Sequence, residues 1–200
     1  MENTQKKPNV KLITQLGLLT AIIVILAFTP LGYLKTAGVE ITFMTIPVAI
    51  GAIVLGPKSG AFLGGVFGLT SFLQCFGISA FGTALFNINP LFTFILCFVP
   101  RIACGFLAGL IFKALTKVDK TKIASYAIAS FATAFINTFL FVIGLILMFW
   151  NTDFIQELNS SGKSIFGFII TFVGINGIIE SLVTLLAGGA ISKAVKHYKH

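Results

Sequence analysis

The chain has 200 residues, of which 56% are apolar and only 10% charged, with 22 Phe and a mean hydropathy of +1.00. A soluble domain carries about a quarter charged residues to cover its surface. The composition therefore specifies an integral membrane protein and excludes collagen-like, disordered, nucleic-acid-binding and disulfide-framework classes.

The formal charge of +8 is not a basic groove, because the lysines stand in clusters between long charge-free runs. Lys6, Lys7 and Lys11 precede the first run, which predicts a helix over about 12–34. That run is too long for the apolar region of a signal peptide, and no Ala-x-Ala site follows it. A second, shorter helix over about 41–56 contains Pro47, an interruption tolerated only inside protein or beside a polar cavity. Lys58 marks a tight turn into a third helix, about 59–76. The polar, Gly-rich stretch 77–90 reads as a loop. A fourth helix follows over about 91–115, ending near Lys113 and Lys117. After Lys120 and Lys122, helices over about 122–150 and 165–195 complete the chain, and Lys193, Lys196 and Lys199 close it.

The expected fold is a single domain over 1–200, an all-α membrane protein with a six-transmembrane-helix bundle. Eleven lysines against Glu2 and Asp119 fall on one face of that arrangement. Lys35 and Lys163 against Glu40, Asp153 and Glu157 fall on the other. The positive-inside rule then places both termini in the cytoplasm.

Helices in lipid associate through close backbone contact, which small residues at four-residue spacing permit. Gly60, Gly64 and Gly68 form one such stripe, Gly105 and Gly109 a second, and Ser125, Ala129 and Thr133 a third. These read as packing within the bundle. Gly17 and Ala21, near the start of the first helix, form a flat notch that could receive a helix of another protein.

Familiar catalytic chemistry is missing. Cys75, Cys97 and Cys104 form no Cys-x-x-Cys pair and read as small core residues. His197 and His200 both lie in the tail, so a His-based triad, a zinc-protease motif and any metal site are not expected. Gly162-Lys163-Ser164 imitates the end of a phosphate-binding loop, but the motif's first glycine position holds Glu157. No cofactor and no enzymatic activity are expected.

Two charges fall near the bilayer midplane, Arg101 and Glu180. An arginine there costs about 2.5–3.5 kcal/mol on insertion scales, so it must face the interior and find a partner. That partner is either Glu180, in a bridge between two helices, or an anionic group of a ligand. Pro100 removes a backbone donor just before Arg101 and frees a carbonyl nearby. Asn176 and Glu180 share one helix face, and Thr184 continues it. Asn137, Gln74, Asn87 and Asn89 add uncharged donors and acceptors. Together they outline a pocket for a small polar organic molecule, walled by Phe76, Phe86, Phe92 and Phe141.

With these features the chain resembles the substrate-binding S components of energy-coupling factor (ECF) vitamin transporters. The resemblance rests on six helices in about 200 residues, on Gly17/Ala21, and on Ile46-Pro47-Val48-Ala49-Ile50-Gly51-Ala52 leading into Leu55-Gly56-Pro57-Lys58-Ser59-Gly60-Ala61. The family's usual Ala-x-x-x-Ala in the first helix is replaced here by Gly at 17. The resemblance implies capture of a vitamin from outside and docking of the first helix on a separate transmembrane coupling subunit. Two ATPase subunits would supply energy, and the segment 32–40 would act as a lid. Val99-Pro100-Arg101-Ile102 and Thr29-Pro30-Leu31-Gly32 are most similar to the pantothenate members, with riboflavin and pyridoxine- or pyrimidine-type members as alternatives. A self-sufficient proton-coupled carrier with Glu180 as its relay is the alternative from another class.

Overall fold

A computed structural model describes residues 10–36, 39–119, 123–159, 167 and 177–197. Its elements in chain order are helix α1 (Val10–Ala27), a 3-10 turn (Pro30–Gly32), strands β1 (Tyr33–Thr36) and β2 (Val39–Thr42), and helices α2 (Thr45–Leu55) and α3 (Pro57–Gln74). Helices α4 (Ala80–Ile88), α5 (Pro90–Leu115), α6 (Ile123–Phe149) and α7 (Asp153–Leu158) follow. The last helix, α8 (Gly177–Val195), carries a π-helical turn at Thr184–Gly188 and runs on to His197.

The described chain is thus helical apart from one antiparallel hairpin, in which Tyr33 faces Thr42 and Thr36 faces Val39. Among the described residues, four helices are long and apolar enough to cross a bilayer: Val10–Phe28, Pro90–Leu115, Ile123–Phe149 and Gly177–Val195. The 18 residues of α3 rise about 27 Å, close to one hydrocarbon thickness. The 11 residues of α2 rise only about 16 Å, so it cannot span alone.

Three expectations are corrected. The first helix stops at Ala27 instead of 34, because Pro30 disfavours helical geometry at Thr29. The second begins at Thr45 instead of 41, since the β-branched Val39, Ile41 and Thr42 prefer the extended conformation they adopt in β2. Pro47 therefore sits in the first turn of α2, where its missing N–H costs no helical bond, and does not interrupt the helix. The stretch 77–90 is not a loop but holds α4, whose N-cap Ser79 accepts a bond from the Gly82 N–H at 3.3 Å. Residues 165 and 166, at the expected start of the last helix, lie outside the described residues, as does Gly162-Lys163-Ser164.

The glycine stripes on α3 and α5 face each other. A methyl group built on Gly60 would strike the Gly105 carbonyl, one on Gly64 the Arg101 carbonyl, and one on Gly68 the main chain of Phe98. Gly109 in turn abuts the Pro57 main chain. The two helices thus pack backbone on backbone along their length. The turn that delivers α3 into this contact needs Gly56, whose φ of 99° excludes most side chains.

The core has separate layers. Ile23, Ala27, Met44, Val48, Leu63, Phe67 and Cys104 join α1, α2, α3 and α5. Leu85, Leu96, Leu145, Phe149 and Ile155 join α4, α5, α6 and α7. Ser125, Ala129 and Thr133, the third small-residue stripe, are fully buried on α6, and Gly188 of α8 comes up against Ser130 of α6. Asp119 starts α6 by accepting bonds from the Ser125 N–H and hydroxyl at 2.9 and 3.0 Å.

Candidate functional site

Arg101 is held by the consequence of its own neighbour. Pro100 has no N–H to offer the carbonyl of Leu96, four residues earlier in α5. The Arg101 guanidinium fills that gap, with Nη1 donating to the Leu96 carbonyl at 2.8 Å. The same group lies between two aromatic faces, 5.2 Å from the Phe67 ring centre and 5.0 Å from that of Phe141. Both separations suit a cation–π contact. Arg101 Nε is buried and has no hydrogen-bond partner. The cation is therefore clamped between α3 and α6 with donor capacity left over.

Glu180 on α8 is buried, with the Thr45 side chain and the Thr42 main chain as its polar neighbours. Thr45 and Thr184 share a hydroxyl–hydroxyl bond of 2.9 Å that ties α2 to α8. The alternative of an Arg101–Glu180 bridge is not formed. Glu180 Oε1 has no partner, and no ion pair joins the two residues among the described residues. Asn137 on α6 is also buried, and its Oδ1 is unpartnered. Arg101, Asn137 and Glu180 thus share one feature, a buried polar atom with no partner among the described residues. Such atoms cost about 1–3 kcal/mol each when left so.

The other candidates are already engaged or lie elsewhere. Gln74 is buried and donates through Nε2 to the carbonyl of Ala27, which finishes α1 and fastens it to α3. Asn89 caps α5, its Oδ1 accepting from the Leu91 and Phe92 N–H groups at 3.1 Å. Asn87 is exposed near the end of α4, and Asn176 lies outside the described residues.

Of the four phenylalanines expected to form one wall, only Phe141 touches Arg101. Phe76 and Phe86 meet in a tilted pair with ring centres 4.7 Å apart and join Phe72, while Phe92 meets Phe149 at 6.2 Å. Sequence reasoning missed Phe67, Thr45 and Thr42. Phe67 could have been found, since it immediately precedes Gly68 and sits at the margin of the glycine stripe that faces α5.

Gly17 and Ala21 both lie on the exposed face of α1, and none of the described residues approaches within 4 Å of a methyl placed on Gly17. Beside them an apolar groove of about 500 Å³ runs between α1, α2 and α8, lined by residues including Leu18, Ile22, Pro47, Ile50 and Val195. Among the described residues no three His, Cys, Asp or Glu side chains cluster as metal ligands would.

Comparison with known sequences assigns the chain to a family. A sequence model of the family described as "ECF transporter, substrate-specific component" matches residues 11–188. The pantothenate transporter PanT of Leuconostoc mesenteroides is 31% identical over 184 residues, covering 89% of this chain and 85% of that protein. The pantothenic acid transporter PanT of Lactococcus lactis is 29% identical over 166 residues, covering 78% of each. The chain belongs to the substrate-specific components of ECF transporters: it is a multi-pass membrane protein that binds substrate for a transporter, and not an enzyme.

Proposed function

We propose that this chain captures pantothenate, and that Arg101 receives its carboxylate. The observation that carries this is the Arg101 clamp: a guanidinium fixed by Phe67, Phe141 and the Leu96 carbonyl, with Nε still unpartnered. A cation so placed is costly unless an anion comes to it. Asn137 and Glu180 add unsatisfied acceptors suited to the hydroxyl and amide protons of the vitamin. The names of the two relatives favour pantothenate over riboflavin or pyridoxine-type molecules. Asn176, four positions before Glu180 in the sequence, is assigned to the site on that spacing alone. Asn89, Asn87 and Gln74 support the walls, through the α5 cap, the end of α4 and the α1–α3 tie. The β1–β2 hairpin, which ends at Thr42 beside Glu180, is the cover.

The proposed topology has six passes: the four long helices, α3, and the short α2 together with the extended segment that leads into it from β2, with both termini cytoplasmic. Supporting it, Gly109 abuts Pro57, which brings Lys58 to the end of the bundle that holds Lys113 and Lys117. Gln15 and Leu18 of α1 share a groove with Ile191 and Val195 of α8, so the two terminal segments also lie together. Transport requires a separate transmembrane coupling subunit and two ATPase subunits, and the exposed Gly17/Ala21 notch is the docking surface for the coupling subunit.

Titration of the purified protein with pantothenate tests the site. Arg101→Ala is expected to weaken binding more than tenfold, about 1.4 kcal/mol or more, while the variant stays folded. Unchanged binding by a folded variant would reject the assignment.

A further inference from the structure

Cys75 ends α3 and Cys97 lies in the second turn of α5; they are separated by 22 positions in the chain, yet their sulfurs are 3.9 Å apart. Both are free thiols and nearly sealed, at 2% and 6% exposure. The glycine stripe sets their spacing. Gly68 packs on the main chain of Cys97 and Phe98, so the last turn of α3 cannot slide along α5 without a backbone clash. Cys75 Sγ also donates to the Ser71 carbonyl at 3.4 Å, and Gly82 of α4 leaves room for that sulfur where a side chain would strike it. Two thiols are thus held against each other at the junction of three helices. Cys104, the third cysteine, faces the Arg101 carbonyl instead, at 3.1 Å.

We propose that Cys75 and Cys97 are a reversible dithiol that closes to a disulfide under peroxide and ties α3 to α5. A disulfide bond is about 2.05 Å long. Each sulfur therefore has to travel only about 1 Å to reach bonding distance. Hydrogen peroxide first converts one thiol to a sulfenic acid and releases one water. The sulfur of the second thiol then attacks the sulfenic sulfur. The S–O bond breaks, and the departing hydroxide leaves as water with the proton of the second thiol. Two thiols and one peroxide give one disulfide and two waters, and an added dithiol reductant reverses the change by exchange. The step does not depend on the identity of the vitamin.

The test uses the full chain in detergent or nanodiscs, treated with hydrogen peroxide, quenched, unfolded and alkylated, then weighed. The expected result is loss of two of the three alkylatable thiols in the wild type, leaving Cys104, with full recovery after dithiothreitol. A peptide pair linked through Cys75 and Cys97 should appear in the digest. Cys75→Ser and Cys97→Ser should instead trap a dimedone-reactive sulfenic acid, whereas Cys104→Ser should bridge like the wild type. The oxidised wild type should also melt at a higher temperature than the reduced form, a shift absent from both bridging-site variants. Three thiols surviving in the wild type, or irreversible oxidation to sulfinic acid without a linked peptide, would overturn the proposal. The wild-type measurements stand alone if a serine variant fails to fold.

Discussion

The two seams that hold Arg101 and Glu180 are built on opposite principles. Between α3 and α5 the contact is main chain on main chain, made by glycines at 60, 64, 68, 105 and 109. Between α2, α6 and α8 the contact is polar: Thr45 bonds Thr184, while Ser130, Asn137, Glu180 and Ser181 carry buried atoms without partners. A backbone seam permits one register and fixes what hangs from it, here the Arg101 clamp. A polar seam with spare capacity has groups to offer something that arrives. The α3–α5 side is a rigid jig and the α6–α8 side an adaptable surface, and the π-helical turn at Thr184–Gly188 lies on the adaptable side.

The largest effect that separates the two seams should come from Gly64→Val. Even a methyl at this position would overlap the Arg101 carbonyl, a backbone atom that cannot rotate away. Overpacking of this kind costs about 1–3 kcal/mol or more, and here it also displaces the guanidinium. Both the melting temperature and pantothenate binding should fall. Gly65→Ala, one residue away, is the matched control. Its methyl would meet only Ile102 and Phe98 side chains at 3.7–3.8 Å, an ordinary contact. A thermal melt in which Gly64→Val and Gly65→Ala behaved alike would remove the distinction between the seams.

Next in size is the charge at the centre. Arg101→Lys keeps the cation but not the planar fork that reaches the Leu96 carbonyl while lying against two rings. Binding should drop several-fold, less than for Arg101→Ala, and the Leu96 carbonyl should lose its partner. Equal affinities for Lys and Arg variants in a titration would mean that only net charge matters there.

These features were unequally legible in the sequence. Arg101 was visible because a charge in a 26-residue apolar helix has no neutral explanation, and Pro100 announced the orphaned Leu96 carbonyl. The glycine stripes were visible as spacing, although spacing does not say which stripe meets which. Phe67 was hidden for that reason, since its role depends on α3 facing α5. The Phe76, Phe86 and Phe92 wall was misjudged because in a chain with 22 Phe the residue type alone carries little information. The hairpin and α4 were missed because short elements owe their form to caps and neighbours. Ser79 and Asn89, which bracket α4, looked like loop residues until their cap bonds were seen.

A smaller effect, of opposite sign to the first, should follow from Asn137→Leu. The buried Oδ1 has no partner among the described residues, so removing it relieves desolvation that they do not repay. The melting temperature should hold or rise by a few degrees while pantothenate affinity falls. Stability and binding then move apart on the polar seam, whereas Gly64→Val moves them together on the glycine seam. A fall in both for Asn137→Leu would show the amide to be a structural bond and not part of the receiving surface.

The smallest effect on the isolated protein should come from Gly17→Leu and Ala21→Leu. Both positions lie on the outer face of α1, away from the core formed by Ile23 and Ala27. None of the described residues comes within 4 Å of a methyl at Gly17, and leucine is a better helix former than glycine by about 0.6–0.8 kcal/mol. Melting and pantothenate binding should therefore be unchanged or slightly improved. The cost should appear only when another helix has to approach closely, because a leucine holds two helices apart where glycine or alanine lets their backbones touch. Uptake in cells carrying the coupling and ATPase subunits, and co-purification with the coupling subunit, should both be lost. A Gly17→Leu variant that binds normally and still supports uptake would move the docking surface off this face, and the groove between α1, α2 and α8 would be the next place to substitute.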